Sequence, residues 1–159
     1  MPQVVARVEI PVTPEIAFAV SQTTGEVRLH WDPFIRRQHF LAGARAPAKG
    51  VRTRTWSRLG PRMDSEYVSW NPPGNVGMTM IDGPWFFDRF GGGWRFKATA
   101  TGTEATWKYT FSTRPAWLQP VSDRIGTWAL GREIRTRINA FARACEDPVV
   151  LAAVELPEH

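Results

Sequence analysis

Cysteine is almost missing from this chain of 159 residues: Cys145 stands alone, which rules out an internal disulfide framework and a thiolate metal cluster. An isolated cysteine is more often a small buried hydrophobe than a nucleophile. Histidine is nearly as scarce, and His30, His39 and His159 show neither an HExxH spacing nor any other pairing, so zinc chemistry is not indicated and no metal or cofactor is expected. No apolar run approaches membrane-spanning length, and the N-terminus, MPQVVARVEI, has no basic stretch leading into an apolar one and no cleavage site. A cytoplasmic protein without a membrane span is the expectation. The run Gly91-Gly92-Gly93 lacks the Gly-Lys-Ser/Thr ending of a phosphate loop, and no Gly-x-Ser-x-Gly elbow occurs. Lysine is rare too: three lysines stand against seventeen arginines in a chain of net charge +5 and pI near 10.1. Those arginines are scattered among fifteen carboxylates with no run of five like charges, so they read as a solvated surface and do not demand nucleic acid.

What the chain does have is apolar material, 43% of residues, enough for one ordinary domain with a real core. Residues 4–12 alternate apolar and polar side chains with the period of a half-buried strand. Thr13-Pro14-Glu15 then supplies a capping hydroxyl, a proline at the first helical position and an acid in the first turn, which predicts a short helix over 16–20. A second short helix is expected between Gly25 and His30. Pro33 forces Asp32 out of helical geometry, and the Asp32 carboxylate is placed to accept from nearby backbone amides in an Asx-type turn. Strands follow at 34–41, 50–59, 63–71 and 76–82, divided by Pro61, Asn71-Pro72-Pro73-Gly74 and Asp82-Gly83-Pro84. Two further strands are clear around 94–99 and 107–112, where Trp94, Phe96 and Ala98, then Trp107, Tyr109 and Phe111, form apolar faces of the kind an antiparallel sheet covered on one side produces. The glycine run before them predicts a bulge or sharp bend.

From Val121 onward the apolar positions Ile125, Trp128, Ile134, Ile138, Phe141 and Cys145 trace one stripe of a long amphipathic helix, with Glu133 and Arg137 assigned to other positions. Gly131 fills the gap in that stripe and is expected to leave space beneath the helix. The order is strand, two short helices, six strands, long helix: an α+β architecture in which the helix covers a curved antiparallel sheet. Residues 1–146 form this domain, and 147–159 read as a loose tail.

The third and fourth strands suggest what the interior is for. Setting Arg52, Arg54 and Arg58 opposite Asp64 and Glu66 on the solvent side turns Thr53, Thr55, Ser57, Ser65, Tyr67 and Ser69 toward the helix. Small hydroxylated side chains fill little volume, so this face either meets water or lines a cavity for a ligand with some polar atoms.

The stretches HWDPF, MDSEYV, NPPG, DGPWFF, GGGWRF and TWKYTF, with Gly50 opening a strand, Gly102-Thr103 and a final Arg-rich helix, resemble the START-like polyketide cyclase/dehydrase superfamily, SRPBCC. The resemblance spans almost the whole chain through short motifs in the right order. It implies a helix-grip fold: a seven-stranded curved antiparallel sheet around the C-terminal helix, two short helices closing one end, and a deep apolar cavity. A small hydrophobic or amphipathic ligand, such as a polyketide, lipid or sterol-like molecule, is then expected against Thr53, Thr55, Ser57, Ser65 and Tyr67, with Met78, Met80, Trp94, Phe96, Trp107, Tyr109, Trp128 and Gly131 completing the wall. Trp31 either plugs or lines one end, and Trp85 and Phe86 read as a lid or as core staples. Family cyclases use Arg, Tyr, His and Trp to orient a polyketide chain. The types available here are Arg37, His39, Tyr67, Tyr109 and Arg132, with His39 and Arg37 the candidates for catalysis, although no motif joins them. A ribosome- or RNA-associated module, like the toxin-like proteins and coenzyme Q chaperones of the superfamily, is the second reading. The state is monomer or homodimer.

Overall fold

The computed structural model describes residues 1–154. Seven strands, β1 (Gln3–Ile10), β2 (Ile35–Phe40), β3 (Arg52–Ser57), β4 (Arg62–Asn71), β5 (Asn75–Asp82), β6 (Phe87–Thr99) and β7 (Gly102–Thr113), form one antiparallel sheet in the order β1-β7-β6-β5-β4-β3-β2. Two short helices, α1 (Pro14–Ser21) and α2 (Gly25–Trp31), follow β1, and a 3₁₀ turn at Ala116–Leu118 leads into α3 (Gln119–Ala144), 26 residues long. This is the expected helix-grip arrangement. The Thr13 hydroxyl caps α1 by accepting from the Ile16 amide at 3.4 Å. Asp32 ends α2 in an extended conformation ahead of Pro33, and its Oδ1 accepts from the Phe34 amide at 3.0 Å.

The expected register of β3 and β4 is the observed one: Arg52 faces Glu66 and Arg54 faces Asp64, closing ion pairs at 3.1 and 2.8 Å. The sixth strand differs, because it begins at Phe87 instead of Trp94. Its glycines do not form a bulge. Gly91, Gly92 and Gly93 stay in continuous register with Thr79, Met78 and Gly77 on one side and Thr110, Tyr109 and Lys108 on the other. A Cβ at Gly93 would stand 2.7 Å from the Val76 carbonyl oxygen, so the missing side chains let neighbouring backbones close up where the sheet curls.

The dense core lies under the C-terminal half of α3, where Ile134, Ile138 and Phe141 bury against β1, β6 and β7. Trp94 stacks on Trp107 with ring centroids 4.1 Å apart and meets Phe141 at 4.6 Å. The N-terminal half has no such partner: Val121, Ile125 and Trp128 are exposed, contrary to the continuous stripe expected from spacing. The loose tail is also corrected. Asp147 caps a fourth helix, α4 (Pro148–Ala153), its Oδ1 accepting from the Val149 amide at 2.9 Å while its Oδ2 sits 2.9 Å from His30 Nε2. Val150 is fully buried in the core, and residues 155–159 lie outside those described.

Candidate functional site

Between the inner face of the sheet and the N-terminal half of α3 lies a cavity of about 740 Å³. Its β3–β4 wall is the hydroxylated one that strand alternation predicts: Thr53, Thr55, Ser57, Ser65 and Tyr67 all line it. Gln38 Nε2 donates to Thr55 Oγ1 at 2.9 Å, and the Tyr67 hydroxyl donates to Gln22 Oε1 at 3.2 Å. The Thr53 hydroxyl is different. It is buried and has no hydrogen-bond partner among the described residues, the kind of polar atom a folded domain seldom leaves unmatched without a reason. Ser69 is turned off this wall by a register shift between Tyr67 and Ser69. Met63 of β4 is the apolar member of that wall, and the opposite wall is apolar, built from Val76, Met78, Phe87, Phe90, Trp94, Trp107 and Leu130.

The inner end carries the charge. Arg137, on α3, donates through Nε and Nη2 to the two oxygens of Asp32 at 3.1 and 2.7 Å, and through Nη1 to the Tyr109 hydroxyl at 2.6 Å. Its guanidinium is sandwiched between the rings of Phe34 and Trp107, 4.6 and 4.4 Å from their centroids. Arg28 reaches the same carboxylate at 2.9 Å and holds the Ser21 carbonyl at 2.7 Å. Burial alone would push the Asp32 carboxyl up, but the flanking Arg137 and Arg28 outweigh it and hold that carboxyl well below the usual range. Burial likewise opposes the charge on Arg137, and the adjacent Asp32 more than restores it. Burial raises the Tyr109 phenol far above its ordinary value, so Tyr109 remains a hydroxyl donor, and it donates to Glu133 Oε1 at 3.1 Å. Burial also pushes the Glu133 carboxyl up, against the pull of Arg137. Glu133 lines the cavity, and its Oε2 makes no hydrogen bond to the described residues.

Several residues expected in the wall lie elsewhere. Trp31 is core: its Nε1 donates to Thr23 Oγ1 at 2.8 Å and its ring meets Phe141. Phe96 packs on the far side of Trp94 against Phe18, closing the solid end of the sheet. Met80 folds over the Gly83 turn. Trp85 stands 75% exposed and Trp128 63% exposed, outside the cavity, whereas Phe86 borders its mouth. Arg37 lies over the Trp56 ring on the outer face. His39 touches the cavity with an exposed side chain whose ring lies 5.3 Å from that of Trp56 and makes no hydrogen bond among the described residues. Gly131 is not beneath the open part of the helix: a Cβ there would sit 4.0 Å from Val4 of β1. The glycine that lets α3 approach the sheet at the cavity is Gly126, where a Cβ would meet the Phe111 ring at 2.7 Å. Cys145 is buried and its thiol pushed up to about 12, chiefly by burial, as suits an inert hydrophobe.

Sequence reasoning missed Arg28, Gly126, Glu133 and Arg137. A signal for Arg137 existed: it lies three residues after Ile134 and four before Phe141, squarely within the apolar stripe.

A family model described as polyketide cyclase/dehydrase and lipid transport matches residues 1–146. No curated protein matches the chain. Among solved structures, the Zhui aromatase/cyclase from Streptomyces sp. R1128 is similar over 93% of this chain and 95% of its own, with TM-score 0.76 and 16% identity. A START superfamily protein from Mycobacterium smegmatis covers 91% of this chain and 97% of its own, with TM-score 0.72 and 13% identity. XoxI from Bacillus cereus covers 92% and 97%, with TM-score 0.74 and 15% identity. At these identities the likeness is one of fold.

Proposed function

The chain belongs to the polyketide cyclase/dehydrase and lipid transport family, and from that premise we propose that it binds a small amphipathic molecule of polyketide, lipid or sterol-like character in the cavity beneath α3. One observation carries the reading: a cavity of about 740 Å³, apolar on one wall and lined by Thr53, Thr55, Ser57, Ser65 and Tyr67 on the other. Its volume falls within the range of ligand pockets, which typically combine an apolar lining with a few fixed polar groups. The apolar body of the ligand packs on Met78, Phe87, Phe90, Trp94 and Trp107. A hydroxyl or carbonyl oxygen meets the hydroxylated wall at Thr55, Ser57 and Ser65, and a second polar group meets Glu133 at the inner end. Proton transfer to a bound carbonyl falls to Glu133, a cavity-lining carboxyl whose Oε2 makes no hydrogen bond to the described residues, and not to His39, which is exposed and has no hydrogen-bond partner among them. The RNA-associated reading has no observation in its favour among the described residues.

Native mass spectrometry of freshly purified protein tests this by looking for a co-purified small molecule. Uptake of a hydrophobic fluorophore, competed by fatty acids or aromatic polyketides, tests it independently. Ser65→Trp, which places an indole in the cavity, is expected to abolish uptake while cooperative unfolding persists. Uptake that survives Ser65→Trp unchanged places the ligand elsewhere.

A further inference from the structure

Large apolar side chains are left exposed on one side of the molecule, and they ring the cavity mouth. Trp85 (75% exposed) and Phe86 lie in the β5–β6 turn, their rings 6.0 Å apart. Trp85 shares a shallow groove with Pro115, Ala116 and Gln119, which brings it beside the 3₁₀ turn carrying Trp117 (79% exposed) and Leu118. Val121, Ile125 and Trp128 continue the patch along α3 at intervals of four and three, one helical face that no sheet covers. Leu59, 89% exposed in the β3–β4 turn, completes the collar, and Leu59, Phe86 and Ile125 themselves border the cavity. Isolated exposed apolar residues need no explanation, but this contiguous group, drawn from three separate segments, does.

The charges among these side chains narrow the partner. Segments 58–61, 84–89 and 113–132 contain Arg58, Arg89, Arg114, Arg124 and Arg132 against Asp88 and Asp123, an excess of three positive charges in a chain of net charge +5. Tryptophan beside arginine suits the boundary between acyl chains and anionic headgroups, where the indole keeps one end apolar and one wet and each cation near the surface is drawn to the negative leaflet. A second copy of the chain fits less well. A two-fold interface sets the same surface against itself, so the arginine excess would face its own image.

We propose that this collar docks the protein on an anionic lipid bilayer, with the cavity mouth facing the membrane. The proposal stands independently of which ligand the cavity takes. Sedimentation of the full chain with vesicles of phosphatidylcholine alone, or mixed with phosphatidylglycerol, tests it. Binding to the mixed vesicles is expected, weakened by salt, and reduced at least about tenfold in the Trp85→Ala/Trp117→Ala variant, the scale expected from removing two interfacial aromatic anchors. Fluorophore uptake by that variant should match wild type, since neither tryptophan lines the cavity; this keeps failure of docking distinct from failure of the ligand reading. Three results overturn the proposal: no binding of the wild-type chain to mixed vesicles, binding unchanged in the double variant, or a concentration-dependent dimer in sedimentation velocity that the double variant abolishes.

Discussion

Replacing Arg137 by methionine keeps an unbranched apolar stem, but removes the guanidinium that packs between Phe34 and Trp107 and neutralises Asp32. Asp32 is wholly buried and would keep only Arg28 at 2.9 Å and the Phe34 amide at 3.0 Å, while the Tyr109 hydroxyl would lose its donor at 2.6 Å. Removing one partner of a buried ion pair typically costs about 3–5 kcal/mol because the remaining charge stays desolvated. Arg28 still holds the carboxylate, so the lower end of that range, about 3 kcal/mol, is expected. For a domain of this size each kcal/mol lowers Tm by about 2–4 °C, which puts the midpoint roughly 6–12 °C lower. The pH dependence sharpens the test. Asp32 in the folded protein lies below its unfolded value of about 3.9, so its contribution is full above that pH and fades as pH falls toward the folded value. Arg137→Met raises the folded value, so the penalty measured by urea unfolding should be largest near neutral pH and shrink as pH falls below about 4. A penalty under about 1 kcal/mol, or one that does not change with pH over that interval, refutes the claim that Asp32 is a buried anion dependent on Arg137.

Two other substitutions test the cavity wall. Thr53→Val conserves shape and removes the unpartnered hydroxyl, so it should raise stability in urea by up to about 1–3 kcal/mol; a loss of stability would mean that the hydroxyl is already satisfied. Glu133 is raised by burial above its unfolded value of about 4.3, so the fold favours its neutral form and loses that advantage as pH rises; Glu133→Gln should be more stable than wild type near neutral pH, with the two converging below about pH 4, and parallel curves would contradict the shift.

The hydroxylated wall was legible because two independent patterns agreed on it. Alternation in β3 and β4 gave two faces, and Arg52, Arg54, Asp64 and Glu66 chose which one faced solvent. The first half of β6 was not legible: glycine has low strand propensity, and what makes Gly92 and Gly93 suitable is the closeness of Lys108 and Val76 backbone, which no local pattern records. Arg137 was hidden by its type. A charged residue on a helix is assigned to solvent by default, and only Asp32, 105 residues earlier in the chain, makes its burial tenable. The helix at Pro148–Ala153 did have a local signature, an Asp-Pro start followed by apolar residues, but a short C-terminal segment rich in acids suggested a tail. Gly131 and Gly126 show the limit of spacing arguments. Both lie on α3, but which glycine faces the cavity depends on where the helix leaves the sheet, and that is set by the distant Phe111.

A void of about 740 Å³ could not persist as a dry interior. At about 24 cal/mol per Å³ it would cost on the order of 18 kcal/mol, more than the 5–15 kcal/mol by which domains are ordinarily stable. In solution the space therefore holds solvent or a ligand, and α3 must be held above it by attachments at both ends. At one end these are the Ile134–Ile138–Phe141 core and the Arg137–Asp32 pair. At the other, Gly126 lies against Phe111, and Thr113 Oγ1 lies 2.6 Å from Ser122 Oγ and 2.7 Å from Asp123 Oδ1. With the helix pinned at both ends, exchange of the contents without unfolding is easiest through the gap bordered by Leu59, Phe86 and Ile125. An apolar ligand leaving by that gap passes exposed apolar side chains before it meets bulk water, so the residues that leave α3 half uncovered also shape the exit route.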